Sequence, residues 1–246
     1  KSNDLYDWLG ITFNIASQKP SWEPATAFGY HAITWGFIAG EIIRQVTGEN
    51  VGQYIRRRIT EPFSSDFYIG LTATEQERCA EIIGPKDSKP PLAKKTDKPY
   101  KTLPKNDPIL TPYRVVSSSA WRSAQIPASN GHGSSLGIAK CYQAAISGKL
   151  FSKDTLKQAL HEETDGQTDL CLGQPVKRSR GFILNCNPCY FGPSEKAFGH
   201  AGSGGSVAFA DPENKVSFAY VTNQLHNSGT FRYRKLVDAF YACLLN

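Results

Sequence analysis

Ser206-Val-Ala-Phe-Ala-Asp-Pro-Glu-Asn-Lys-Val-Ser-Phe-Ala-Tyr-Val221 is the stretch that decides the fold class. Its flanks, Ser206–Ala210 and Val216–Val221, are rich in β-branched and aromatic residues, while Asp211 to Lys215 between them carry turn chemistry. The pattern predicts a β-hairpin. Downstream, Leu236, Val237, Phe240, Tyr241 and Leu244 recur at helical spacing, so a terminal helix is expected over Phe231 to Leu245. Upstream, the chain reads as helical. Ile33, Phe37, Ile38, Ile42, Ile43 and Val46 mark one helix over Ala32 to Thr47, with Gly48 as its stop signal. Val51, Tyr54, Ile55 and Ile59 predict a second, short helix that ends before Pro62. Ser134 to Ile146 reads as an amphipathic helix closed by Gly148, and Ser152 as the N-cap of the next, with Asp154 and Thr155 in its first turn. Helices in the middle, antiparallel strands late and a helix at the end make an α+β protein, with helices packed on a mainly antiparallel sheet.

Composition narrows the function classes. With 246 residues, 40% hydrophobic and 20% charged, the chain can bury the core of one large soluble domain spanning 1–246. The longest apolar run, Ile33 to Val46, is broken by Glu41, Arg44 and Gln45, so no membrane span is expected. The net charge of +6 is concentrated in one place. Gly84 to Ile109 holds seven Lys against three Asp, interleaved with six Pro. That composition reads as an irregular solvated loop rather than a nucleic-acid surface. Of six cysteines only Cys186-Asn-Pro-Cys189 has redox or metal half-site spacing, and Cys79, Cys141, Cys171 and Cys243 stand apart. Simple packing or a local disulfide is expected of that pair, and no metal site or other cofactor. Cysteine usage leaves the compartment open, with a soluble protein expected and the cytoplasm favoured. The chain opens Lys1-Ser-Asn-Asp4 and contains no Met, so it is expected to be a fragment of a longer protein.

Three short stretches place a titratable side chain beside glycine: Gly29-Tyr-His-Ala32, Asn130-Gly-His-Gly133 and Gly199-His-Ala-Gly-Ser-Gly-Gly205. Each has a plain alternative. Tyr30 can be a packed aromatic before a helix, His132 a hydrogen-bonding residue in a Gly-rich turn, and Gly199 to Gly205 a tight loop or bulge leading into a strand.

Taken in order, these stretches resemble the β-lactamase-related serine hydrolases, the group of class C β-lactamases, DD-peptidases and esterases, with the esterase-like members nearest. The resemblance runs through Phe28-Gly-Tyr-His-Ala-Ile-Thr-Trp-Gly36, Gly40-Glu-Ile-Ile-Arg44, Trp121-Arg122 and Ile126-Pro-Ala-Ser-Asn-Gly-His-Gly133. It continues through Phe198-Gly-His-Ala-Gly-Ser-Gly-Gly-Ser206, Phe209-Ala-Asp-Pro212 and Tyr220-Val-Thr-Asn223. It implies a β-lactamase/transpeptidase-like fold and a reaction in which an ester or amide passes through an acyl-enzyme.

The site residues that the resemblance implies carry over by position. Tyr30 matches the tyrosine of a Tyr-x-Asn motif, whose phenol helps move the nucleophile's proton; a phenol of pKa about 10 needs a cation beside it to act as a base. Ala32 stands where the Asn amide is usual. His200-Ala-Gly202 takes the place of Lys-Thr-Gly on the strand lining the site, with Gly202 and Ser203 as substrate-binding residues and the Ser203 N–H as half of an oxyanion hole. A histidine mostly neutral near pH 7 recognises carboxylates more weakly than lysine, which favours ester over β-lactam substrates. The family nucleophile is the Ser of Ser-x-x-Lys, and no serine in this chain is followed three residues later by lysine. The chain alone is therefore expected to be inactive, with the motif in the missing part of its parent. Tyr30 and His200 are expected on opposite walls of one cleft, their side chains within about 10 Å. The alternative reading is a catalytically inactive homologue with a binding or structural, filament-forming role. Small-molecule substrates are the expected partners, and the sequence leaves the oligomeric state open.

Overall fold

The hairpin forms the middle of a four-stranded antiparallel sheet in the computed structural model, which describes residues 5–84, 115–187, 189–202, 204–226 and 232–244. Strands β5 (Ile183–Leu184), β6 (Phe198–Ala201), β7 (Val207–Asp211) and β8 (Val216–Tyr220) lie in that order. The hairpin register sets Val207 opposite Tyr220 and Asp211 opposite Val216. Asp211, fully buried, closes the turn by accepting from the N–H groups of Glu213 at 3.0 Å and Asn214 at 3.2 Å. Its other oxygen accepts from the Tyr241 hydroxyl at 2.7 Å, which ties the turn to the terminal helix. One aspartate thus fixes both hairpin and helix.

Because side chains alternate across a strand, β6 and β7 serve two cores. Val207 and Phe209 face α8 (Tyr233–Leu244), packing with Tyr233, Val237 and Tyr241. Phe209 stacks on Phe191 at 5.7 Å and on Phe218 at 5.4 Å between ring centroids. Burying one such phenylalanine contributes about 1.5–3 kcal/mol. Phe198 and Ala210 face the opposite way, toward Leu156 of α7 (Lys153–Ala159) and Tyr142 and Ile146 of α6 (Ser135–Ile146). His200, two residues after Phe198, shares that second face.

A separate helical core joins α1 (Trp8–Ala16), α2 (Thr34–Thr47) and α5 (Ser119–Ser123), centred on Phe37, Trp121 and Ile126. Trp8 lies 5.1 Å from the Phe37 ring and donates its indole N–H to Glu41 at 2.7 Å. A side chain on Gly40 would stand 2.5 Å from Trp8 and from Val51, so glycine is what lets these helices close. Gly48 ends α2 at φ +73°, the left-handed stop that its position predicts. The second short helix is divided: α3 (Val51–Ile55) is regular, and Arg56–Thr60 continues as a π-helical turn. Ser152 caps its helix as expected, and Ser134, read as the first helical residue, is instead the N-cap of α6; each accepts from the N–H three residues on.

The sequence reading differs from the structure in one place besides. His132 was expected in a turn; it lies in β2 (Gly131–Gly133), paired with β1 (Phe67–Ile69). The glycines that suggested a turn are there because a Cβ on Gly133 would stand 2.5 Å from the Asp66 carbonyl. Phe198–Ala201 is strand throughout, as the resemblance implied for His200 and Ala201, and the loop of the Gly-rich run begins at Gly202. Beyond Gly84, the Pro/Lys segment lies outside the described residues. A two-stranded sheet of β3 (Thr168–Asp169) and β4 (Gln174–Pro175), with α4 (Ala73–Gln76), completes the elements. Among the described residues no helix is long and apolar enough to cross a membrane.

Candidate active site

Tyr30 is held from behind by a buried aspartate. Its N–H donates to Asp169 Oδ1 at 3.1 Å, and one residue further Leu170 N–H donates to Phe28 O at 3.0 Å. Gly29 makes this approach possible, since a Cβ there would lie 2.8 Å from both Cys171 Sγ and the Trp22 ring. Asp169 Oδ1 also accepts from Cys171 N–H at 2.9 Å and Leu172 N–H at 3.0 Å, while Oδ2 meets Arg178 Nη2 at 3.4 Å. The Arg178 guanidinium lies 4.6 Å from the centroid of the Tyr30 ring, within cation–π range. Across from it stands the ring of His200, 6.0 Å from that of Tyr30 and inclined to it by 32°. Two residues that are 170 positions apart therefore meet directly, well inside the expected 10 Å.

Electrostatics follow from this packing. Burial pushes the Tyr30 phenol above its ordinary pKa; the Arg178 charge pulls it down, and Asp169 and Cys189 push it up again. Tyr30 is thus a neutral phenol at physiological pH. His200 moves the other way. Surrounding groups desolvate its ring and lower its pKa, Arg178 adds to that, and a hydrogen bond with Ala201 O opposes both. That bond, 2.7 Å from Nδ1, requires the proton on Nδ1, because a carbonyl oxygen can only accept. The neutral imidazole consequently offers a lone pair at Nε2, where a lysine would offer only donors.

Gly202 N–H is engaged inside its own turn, donating to Ser206 O at 2.6 Å, and Gly205 N–H returns to Gly202 O at 3.2 Å. Gly204 and Gly205, at φ +103° and +110°, take a conformation that L side chains rarely adopt. Ser203 lies outside the described residues. A cavity of about 580 Å³ opens beyond this turn, with Ser206, Thr222, Trp121 and His132 among its walls; Tyr30 and His200 do not line it. His132 Nδ1 is buried there without a hydrogen-bond partner, and burial lowers the His132 pKa. Among the described residues no group of three or more His, Cys, Asp or Glu could hold a metal ion. All six cysteines are free thiols.

Sequence reasoning missed Asp169 and Arg178. Asp169 sits in the polar run Gly166-Gln-Thr-Asp169, and Arg178 in Lys177-Arg-Ser-Arg180, which reads as solvated charge. Only the fold shows that Asp169 is fully buried and that the Arg178 side chain is 19% exposed.

Helices on both faces of an antiparallel sheet, with the tyrosine loop against strand β6, define the β-lactamase/transpeptidase-like class. The match to known proteins gives the family itself: the Beta-lactamase family covers residues 2–242, and the chain belongs to it. This is a hydrolase family of the serine β-lactamase and esterase type. The chain is 28% identical over 239 residues to the esterase/beta-lactamase LipL of Mycobacterium tuberculosis (strain H37Rv), covering 90% of this chain and 54% of that protein. Among solved structures, a family VIII carboxylesterase is 35% identical with a TM-score of 0.84, over 99% of this chain and 66% of its own. A penicillin-binding protein homologue from Caulobacter crescentus is 32% identical with a TM-score of 0.83, over 98% and 66%. EstA from Arthrobacter nitroguajacolicus Rue61a is 26% identical with a TM-score of 0.85, over 99% and 67%. The chain thus spans about half the length of the curated relative and two thirds of these structures.

Proposed function

We propose that this chain supplies the tyrosine wall and the β6 wall of a serine-hydrolase site that cleaves esters or amides through an acyl-enzyme, with simple esters preferred over β-lactams. The observation that carries the reading is the direct juxtaposition of Tyr30 and His200, backed by Arg178 and Asp169. Its relatives named as esterases support the choice of ester. No Ser-x-x-Lys occurs within the chain, so the acyl-accepting serine belongs to another part of the parent protein.

In this reading the serine oxygen attacks the substrate carbonyl carbon while its proton passes to Tyr30 Oη, and the phenol's own proton leaves with the departing alcohol. Such a relay keeps Tyr30 neutral on average, which suits a phenol whose pKa is raised. The Arg178 charge over the ring steadies the oxygen at the moment of transfer. His200, neutral and with a lone pair at Nε2, accepts a hydrogen bond from a substrate or a water; it gives a carboxylate no cation to bind. Ala32 likewise withholds the amide that a β-lactam side chain would meet. A small activated ester needs little beyond nucleophile, proton relay and oxyanion donors, and so loses least from these replacements.

The test is covalent labelling with a serine-directed fluorophosphonate. A parent protein that carries its Ser-x-x-Lys segment should be labelled at one serine and should hydrolyse p-nitrophenyl butyrate better than a chromogenic cephalosporin. The 246-residue chain should remain unlabelled. Stoichiometric labelling of a serine within this chain would overturn the assignment of the nucleophile to another segment.

A further inference from the structure

On the acyl-enzyme reading above, the second half of the reaction needs an acid for the departing serine oxygen and a base for the incoming water. Tyr30, a phenol that keeps its proton, suits the first task. The polar side chains against it differ in what they can do for the second. Arg178, 4.6 Å from the centroid of the Tyr30 ring, is a cation with no lone pair to offer. Asp169 is fully buried, its Oδ1 already accepting from three backbone N–H groups and its Oδ2 facing Arg178. His200, 6.0 Å from Tyr30 between ring centroids, is differently placed. Its position on β6, opposite the small Ala208 of β7, is set by the sheet register. Nδ1 is tied to Ala201 O at 2.7 Å, which fixes the tautomer and the direction of the ring together. Nε2 lies at the far side of the ring, and no hydrogen bond to it is seen among the described residues. Since His200 is exposed, that lone pair is open to water.

We propose that His200 is the general base of deacylation: its Nε2 takes a proton from the water that hydrolyses the acyl-enzyme, while Tyr30 protonates the serine that leaves. The water oxygen attacks the acyl carbonyl carbon, a C–O bond forms, and one water proton moves to Nε2. The bond from that carbon to the serine oxygen then breaks as Tyr30 Oη gives its proton to the departing atom. The imidazolium returns its proton to the phenolate through solvent, and the new carboxylic acid loses its own to solvent. Both side chains end as they began.

The surroundings of the two rings suit this division of labour. Burial raises the pKa of the Tyr30 phenol, whereas desolvation, helped by the Arg178 charge, lowers that of His200. The acid thus keeps its proton and the base its lone pair until the substrate is in place. A charged lysine at position 200 could donate hydrogen bonds but could not take the water's proton.

The geometric premise is tested in the 246-residue chain itself. Long-range proton–nitrogen NMR spectra at neutral pH should show the His200 ring protonated on Nδ1, its signals assigned by their loss in His200→Gln. A proton on Nε2 instead would overturn the proposal whatever the parent protein does. The catalytic step is tested in the parent that carries its Ser-x-x-Lys segment, with p-nitrophenyl butyrate as substrate. His200→Gln should slow decay of the acyl-enzyme by about a hundredfold, far more than it slows the release of p-nitrophenolate in the first turnover. The enzyme should then accumulate in intact mass spectra as a species heavier by one butyryl group, and added imidazole should restore turnover to His200→Ala. Decay at the wild-type rate, or acylation and deacylation slowed alike, would overturn the role of His200 as base. Absence of any acylated serine in the wild-type parent would overturn the acyl-enzyme reading itself, and the base with it.

Discussion

Replacing Asp169 tests whether the support behind Tyr30 is built as the geometry indicates. Asp169→Ala removes the acceptor of three backbone N–H groups, those of Tyr30, Cys171 and Leu172, together with the partner of Arg178. Leu172 is 42% exposed, so its N–H can turn to water at little cost. The N–H groups of Tyr30 and Cys171 are less accessible, and each costs about 1–2 kcal/mol if left unpaired. Loss of the carboxylate also leaves Arg178, whose side chain is 19% exposed, without its ion-pair partner, at about 1–2 kcal/mol after partial hydration. The total is about 3–6 kcal/mol. Asp169→Asn keeps a carbonyl oxygen for the three N–H groups and loses only the charge, so it should cost about 1–2 kcal/mol. With a urea slope of about 2 kcal/mol per molar, the alanine variant should unfold about 1.5–3 M earlier than wild type and the asparagine variant about 0.5–1 M earlier. Equal losses in the two variants would refute the hydrogen-bond account, and a loss below about 1 kcal/mol for alanine would refute the burial of the pair.

Two further perturbations follow from the same structure. His132 is desolvated, so its folded pKa lies below the unfolded value of about 6.5, and the unfolded chain binds the proton first. Stability should therefore fall as pH drops from about 6.5 through the folded pKa, and His132→Gln should flatten that dependence in urea melts run between pH 7.5 and 5. An unchanged slope would show that His132 is not the group responsible. Tyr241→Phe removes the 2.7 Å hydrogen bond to buried Asp211 and should lower stability by about 1.5–3 kcal/mol, visible as an earlier unfolding midpoint. An effect within about 0.5 kcal/mol would mean that water or Asn214 satisfies the carboxylate unaided.

The sequence made the strong elements legible because their signals are local. The hairpin at Val207–Asp211 and Val216–Tyr220, the serine-capped helices α6 and α7, and Gly48 as the end of α2 each rest on spacing, caps and turn chemistry within a few residues. Helix α1 escaped notice because Leu9 and Phe13 are apolar yet 64% and 70% exposed, which blurs the stripe, and Gly10 interrupts it. The short strands β1 to β5, at two or three residues each, carry too few side chains to show alternation. At the site, Tyr30 and His200 were readable as positions in linked motifs. Asp169 and Arg178 were not, since burial of a charged pair is a property of tertiary packing and leaves no periodic trace.

The most direct test of the central proposal is the steady-state hydrolysis of p-nitrophenyl butyrate by the parent protein with and without Tyr30→Phe. Phenylalanine keeps the ring against Arg178 and His200 and removes only the hydroxyl. The account predicts a fall in kcat of about a hundredfold or more with KM little changed, the range expected for losing a positioned proton-transfer group. A kcat within about twofold of wild type would contradict it and remove Tyr30 from the reaction.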